Sequence, residues 1–429
     1  MRITNQMITD TTLRNMQKTM QASSDRYNEM TTGKKIQRAS EDPVIAVRAL
    51  KLRTTVSQLS QYKDKNIKDA ESWLDTTTTS ITNVIKRLQD VSTYCTQGAT
   101  DSFSTTDRSS IVDSLKGLKD MIYTEGGTKY AGRYIFSGYK TDTNLVFESE
   151  LSKEGVSYDI TQDFTVDDIK SKSIVSNQLT AENVVDIAAG TSTYTTPTEA
   201  SVHRIKLAYD NLQCDEATPA TTTIGLNVDG VSVPITTINK ANSDAYYTVG
   251  ANNINYIPET GELILGENVF AAIQNADKIS VSYAKESFEV GDLRPEHYFD
   301  CTKHAIQSDG TVKDTVFTQP EGGQDLNYEV NFSQTVTVNT EGKDVITHNM
   351  GNAILDMAQA VQDVLDAESM KTKLTAMLGD STYSSNSAAV GRINKMLEDI
   401  DIELALKKEN MQSLFGANTT NFKDYISDV

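Results

Sequence analysis

His297, Cys301 and His304 place two imidazoles and a thiol within eight residues, with Asp300 among them. Nitrogen and sulfur donors at that spacing are the best candidates in the chain for a soft-metal site. On one extended strand, however, His297 and Cys301 share a face that His304 does not, because side chains alternate with a period of two. Zinc sites draw ligands from two separate knuckles, so packing is the preferred reading and no metal ligand is assigned.

The other chemical candidates fall away on similar grounds. Gly127 and Gly132 have the spacing of a phosphate-binding loop, but Arg133-Tyr134 stands where Lys and a hydroxyl residue are needed. The acidic pairs Glu41-Asp42, Asp167-Asp168 and Asp215-Glu216 read as solvated surface, since adjacency alone makes no cleft. No Gly-x-Ser-x-Gly elbow occurs, and His203 and His348 stand beside no nucleophile motif. Cys95, Cys214 and Cys301 are scattered, which suggests no disulfide framework. No catalytic, cofactor-binding or metal residue is therefore assigned, no cofactor is expected, and the chain reads as something other than an enzyme.

What the elements position instead is apolar surface. Leu13, Met16, Met20, Tyr27 and Met30 follow a heptad stripe, with Ser23 in the skipped site, and Gly33 interrupts it. Its methionines suit differing partner surfaces, although a plain core stripe is the commoner use of such residues. A second helix starts at Pro43, where Ser40, Glu41 and Asp42 supply a cap. One register then runs through Ile67, Ala70, Leu74, Thr77, Ile81, Val84, Leu88, Val91 and Cys95. Ile111, Leu115, Leu118 and Ile122 mark the next helix, ended by Gly126 and Gly127. Near the far end, Ile354, Met357, Val361 and Val364 precede a seam of Val390, Ile393, Leu397, Ile400, Leu404, Met411 and Leu414. Lys407 is the charged member of that seam and reads as a side chain snorkelling at the bundle edge.

Between the helical ends, Thr141 to Asp344 reads as short strands and turns, and six of the seven prolines lie there. Asp229-Gly230 and Thr260-Gly261 mark hairpins, and Tyr130 to Phe147 reads as a further short hairpin. Val202 to Leu212 is ambiguous between helix and strand. The predicted class is α+β: a discontinuous antiparallel, coiled-coil-like bundle of N- and C-terminal segments with a β-rich domain between them. The expected division is an axial helix over 1–42, a bundle over 43–140 and 345–429, and an outward β domain over 141–344 with a possible inserted subdomain at 213–285.

Charge follows the same partition. Thr141 to Asp344 carries 12 Lys/Arg against 32 Asp/Glu, a charge of −20 that exceeds the net −19 of the chain and leaves +1 for the two ends together. Near-neutral helical ends pack against copies of themselves with little Coulomb cost. The first 53 residues hold 10 basic and 5 acidic side chains, too diffuse for a phosphate track, so no nucleic acid is expected. No run of 18 apolar residues occurs and Met1 to Asp10 lack a secretory core, so membrane insertion is not expected and residues alone would say cytoplasmic.

Helical ends around a β-rich insert, opened by Met1-Arg2-Ile3-Thr4-Asn5, resemble the bacterial flagellin superfamily. Arg38-Ala-Ser-Glu-Asp-Pro-Val44, Arg48-Ala-Leu-Lys-Leu-Arg53, Gly132-Arg-Tyr-Ile-Phe-Ser-Gly138 and Lys140-Thr-Asp-Thr143 look like its hook-filament junction branch, the flagellar hook-associated protein 3 family. Asp292-Leu-Arg-Pro-Glu-His-Tyr-Phe299 and Asn331-Phe-Ser-Gln-Thr335 extend the likeness, while Thr218 to Ser282 shows none.

The resemblance implies a structural adaptor: a ring of subunits between hook-associated protein 1 and flagellin, served by a flagellar export chaperone. It implies an extracellular place at the hook-filament junction after export without a cleaved signal peptide, which overrides the cytoplasmic reading. Ile3, Leu13, Met16, Met20, Tyr27 and Met30 become the expected assembly interface. The bundle core is expected from Ile67, Leu74, Ile81, Val84, Leu88, Val91, Ile354, Met357, Val361, Val364, Val390, Ile393, Leu397, Ile400 and Leu404. A flagellin-type filament subunit is the nearest alternative, and a surface-ligand-binding module on the insert a more distant one. Asn418 to Val429 is polar and departs from the family's final apolar helix, so a truncated end is expected there, and with it a lack of order over residues 1–38.

Overall fold

The computed structural model describes residues 5–100, 103–148, 156–180, 183–193, 195–212, 224–237, 246–307, 310–320 and 322–429. The chain opens with helices α1 (Asn5–Thr32) and α2 (Pro43–Gln61), a π-turn (Tyr62–Asn66), α3 (Ile67–Gly98) and α4 (Thr105–Glu125). Strands β1 (Lys129–Tyr130), β2 (Arg133–Tyr134), β3 (Val156–Phe164) and β4 (Lys170–Ser176) come next, then α5 (Asn183–Ala189). β5 (Thr198–Lys206), β6 (Gly225–Val228), β7 (Val231–Val233), β8 (Thr236–Thr237), β9 (Ile254–Ile257) and β10 (Glu262–Leu265) lead to α6 (Glu267–Ile273). β11 (Ile279–Lys285), β12 (Asp300–Ile306), β13 (Val312–Phe317), β14 (Asn327–Asn331) and β15 (Gln334–Thr337) complete the strands. Helices α7 (Gly342–Val345), α8 (His348–Gly379), α9 (Ser381–Ser384) and α10 (Ser387–Asp428) close the chain.

Two compact units divide these elements: Met1–Ser72 with Asn327–Val336, and Trp73–Leu326 with Thr337–Val429. The sequence had ended the first segment at residue 42 and placed 327–336 in the β domain. In the first unit, α1 is free of Gly and Pro, and its threonines return hydroxyl bonds to carbonyls four residues back, as Thr11 does to Met7 at 2.6 Å. Gly33, at φ 65°, stops it with an amide bond to the Glu29 carbonyl of 2.8 Å, the left-handed ending that glycine permits. The expectation of no order over residues 1–38 thus meets a helix over most of that span, one with no buried residue. Asp42 caps α2 by accepting from the amides of Val44 and Ile45, and Pro43 takes the first helical position.

In the second unit, Val84, Leu88, Val91 and Cys95 of α3 are buried, as are Ile111, Leu115, Leu118 and Ile122 of α4. α8 buries Ile354, Met357, Val361 and Val364, while α10 buries Ile393, Ile400, Leu404, Met411 and Phe415. Helix α8 packs on both α4 and α10, and Cys95 Sγ reaches Met357 Sδ at 3.6 Å. Gly98 allows α3 to end against α10: a Cβ there would come within 2.5 Å of the Phe415 ring. Ser104 and Asp107 form a capping box that starts α4.

Five seam assignments are corrected by this packing, Leu414 among them, half-buried beside buried Phe415. Leu74 is 39% exposed and Ile81 is half-buried; Trp73 and Ser80 are buried in their place. Val390 and Leu397 are half-buried beside buried Ala389 and Met396. An ideal helix at 3.6 residues per turn drifts against a strict 3.5 repeat, so a stripe extrapolated over several heptads moves off the contact line. Tyr130 and Arg133 both meet the Trp73 indole, the first edge-on at 5.8 Å, the second over its face at 5.5 Å. Ile67, also half-buried, belongs to the first unit. Asn418 to Asp428, expected to lack an apolar helix, continues α10 and buries Phe422.

The β-rich region is a two-sheet sandwich. One sheet runs β13-β12-β3-β11-β6-β7, the other β4-β5-β10-β9-β8, antiparallel throughout except for the parallel β8–β9 pair. Tyr158, Ile160, Val281 and Tyr283 from the first sheet meet Ile205, Ile254, Tyr256, Leu263 and Leu265 from the second in one core. The expectation of a separate subdomain at 213–285 is corrected here. β11 pairs with β3 over seven positions and β10 pairs with β5 over four, so these strands are woven into both sheets. The hairpin predicted at Asp229-Gly230 joins β6 to β7, both turn residues having positive φ.

Candidate functional site

The residues singled out for metal chemistry are apart in role. His297 lies in a short 3-10 turn rather than on the strand, buried, with its Nε2 3.1 Å from the Asn144 carbonyl oxygen. Burial pushes its pKa down to about 4. Cys301 on β12 is a buried free thiol, pushed up to about 12 by burial. His304 bridges Asp314 at 2.8 Å and Asp159 at 3.1 Å across three neighbouring strands, and the Asp314 bond leads in raising its pKa. Among the described residues, no group of three or more His, Cys, Asp or Glu side chains could hold a metal ion.

The remaining candidates resolve into structural parts. Asp42 is a helix cap and Asp168 accepts from the Thr165 amide and hydroxyl. Asp215, Glu216 and Cys214 lie outside the described residues. His203 stacks on Phe270 at 3.6 Å. His348 is enclosed by Tyr209, Tyr298 and Phe299, where burial lowers its pKa to about 3.

One constellation was missed by sequence reasoning. Glu262, 1% exposed, receives Lys172 Nζ at 3.0 Å and the Arg204 guanidinium, and Arg204 also grips Asp356 of α8. Lys206 adds a second cation 3.6 Å from Asp356. Burial alone would raise the Glu262 carboxyl, but Lys172, Arg204 and Lys206 reverse that and hold it well below the usual carboxylate range. A cleft of about 280 Å³ adjoins this network, lined among others by Lys172, Arg204, Asp356, Asp363 and Lys407. Lys407 is itself paired to Glu403 at 2.7 Å. The network therefore ties β5 and β10 to α8. Arg204 and Lys206 at alternate strand positions were the available signal, but nothing in one sequence says that their partners are Glu262 and Asp356.

The open surface of the helical first unit is of a different kind. Leu13, Met16, Met20, Tyr27 and Met30 are all exposed, from 50% at Leu13 to 84% at Met30, and Ile3 lies outside the described residues. On α2, Val44, Val47, Leu50, Leu52, Val56 and Leu59 are exposed as well. Covering one such side chain is worth about 1.5–3 kcal/mol, so a partner helix laid along either stripe would gain substantially. No helix of the described residues is long and apolar enough to cross a membrane.

Comparison with known proteins bears on the same elements. Residues 3–141 match the family described as bacterial flagellin N-terminal helical region. The flagellar hook-associated protein 3 of Escherichia coli is 33% identical over 161 residues, 36% of this chain and 48% of that protein. Its Salmonella typhimurium counterpart is 30% identical over 149 residues, 33% of this chain and 45% of that protein. The matched region thus spans about half the length of these curated relatives. Crystal structures of FlgL from Xanthomonas campestris and of the flagellar junction protein FlgL from Legionella pneumophila align with 87% and 88% of this chain. They cover 93% and 99% of those chains at 9% and 11% identity, both with a TM-score of 0.24, too loose to add to the sequence match.

Over residues 3–141 the chain is similar to the bacterial flagellin N-terminal helical region, and its resemblance to hook-associated protein 3 is a matter of sequence identity.

Proposed function

We propose that this protein is a structural adaptor at the hook-filament junction of the bacterial flagellum, assembling as a ring between hook-associated protein 1 and flagellin. One observation carries the reading: the segment matching the flagellin N-terminal helical region includes the two helices whose apolar stripes lie open. The hook-associated protein 3 relatives favour the junction over the filament. In this reading Leu13, Met16, Met20, Tyr27 and Met30 form the assembly interface, with Ile3 continuing it. The acidic sandwich faces solvent, and an export chaperone shields the stripes before assembly. The protein leaves the cell without a cleaved signal peptide, and its work is mechanical rather than catalytic.

Deleting the gene in its host tests this directly. Bare hooks with abundant flagellin lost to the medium are the expected result. Bare hooks with no flagellin in cell or medium would make this chain the filament subunit instead.

A further inference from the structure

The π-turn Tyr62–Asn66 joins two otherwise regular helices. The Ile67 amide reaches back five residues to the Tyr62 carbonyl, where an α-helix would reach back four. One extra residue in a turn rotates everything on one side by about 100° relative to the other.

That rotation has a target. Leu52, Val56 and Leu59 recur at helical spacing on one line of α2, and Leu59 precedes Ala70 by 11 residues, about three α-turns. In an uninterrupted helix this line would run into Ala70, where the buried side of α3 begins. With the π-turn in place it is swung away, and Leu52, Val56 and Leu59 are 67%, 64% and 46% exposed.

Both ends of the π-turn are held by one distant hairpin. The Tyr62 ring meets Phe332 edge-on at 5.6 Å, and Asn66 Nδ2 donates to the Glu329 carbonyl at 2.8 Å. The β14–β15 hairpin has no buried residue of its own. A lone two-stranded hairpin is marginal in water, so its seat on the π-turn helps to hold it in place.

We propose that the π-turn is a helical phase switch and that the β14–β15 hairpin is its clasp. With the hairpin seated, the apolar line of α2 is out of phase with the start of α3. With it lifted, a one-residue slip to α-helix brings the two into register. The device deepens the adaptor reading, since a subunit with two settings of one helix can meet two unlike neighbours. It is nonetheless a property of the isolated chain.

The test uses full-length monomer carrying spin labels on unnatural amino acids at positions 56 and 329, leaving the cysteines untouched. Deleting Lys63 removes the extra residue but leaves Leu59 and Ala70 ten apart, in the phase that the π-turn gives them, and so supplies the reference distance for the seated state. Phe332→Ala is expected to move population away from that distance and to speed exchange of the Ile67 amide on the order of tenfold. Asn66→Ala should do the same to a smaller degree, and Phe332→Leu should stay close to wild type. Wild-type distances and exchange rates in both alanine variants would overturn the switch. They would leave the adaptor reading standing, because that reading is decided in the host by hooks and flagellin.

Discussion

Helices α1 and α10 both carry apolar residues at three- and four-residue spacing, yet α1 buries none and α10 buries Ile393, Ile400, Leu404, Met411, Phe415 and Phe422. Spacing decides that a helix has an apolar side; it does not decide who covers it. In α10 the cover comes from α8 within the same chain. In α1 the described residues offer none, and an uncovered helix is marginal in water because its formation relies on packing.

The sharpest way to break this contrast is to place a charge on each stripe. Leu88→Asp or Ile400→Asp buries an unpaired carboxylate and should cost on the order of 5 kcal/mol, abolishing a cooperative melt. Met20→Asp should shift stability by less than about 0.5 kcal/mol. Circular-dichroism melting of the variants checks both halves, and an equal effect on α1 and α10 would erase the distinction.

Ion pairs should divide in the same way. Arg204→Ala leaves Glu262 and Asp356 without their shared partner and should cost about 3–5 kcal/mol in urea unfolding. Arg26→Ala on α1 breaks only an exposed pair with Glu29 at 2.7 Å and should leave the urea midpoint in place.

Acid should act on the second unit through its buried imidazoles. His297 and His348 are held neutral, at about 4 and about 3, so below their unfolded value of about 6.5 the unfolded chain binds more protons. Stability is therefore expected to fall as pH drops from 6.5 toward 4, by about 3 kcal/mol for His297 alone. His304 has the opposite sign, its contribution being present below 6.5 and lost as pH rises through its raised pKa. Its carboxylate partners are mostly exposed, which keeps that term small. Urea titrations of His297→Gln across this range should show a flatter acid limb.

The smallest perturbation sharpens the comparison most. Amide exchange of the unaltered monomer should find residues 5–32 barely protected and α8 and α10 protected to the level of global unfolding. Strong protection in α1 would mean that its stripe is covered after all.

Much of this architecture was legible because helix starts and hairpin turns are local. Asp42-Pro43 and Asp229-Gly230 each declare a boundary within a few residues. The sandwich pairing was not, since β3 finds β11 and β12 far along the chain and nothing near β3 names them. Trp73 escaped because a heptad count was carried past the point where the helix itself had drifted. The candidate stripe over Leu13 to Met30 was readable from periodicity, whereas the Glu262 network needed four separate elements brought together. The π-turn left no mark at all, because an extra residue in a helix looks like any other residue.

The pairing of Val156 with Ala305 has a kinetic side. A strand that must wait for a partner so distant pays its loop-closure entropy before any contact rewards it, and folds slowly for that reason. Helical turns, by contrast, form and melt on local bonds in about a microsecond. A chain folding from its unfolded state should therefore sample helix in its N-terminal segment well before its sheets close.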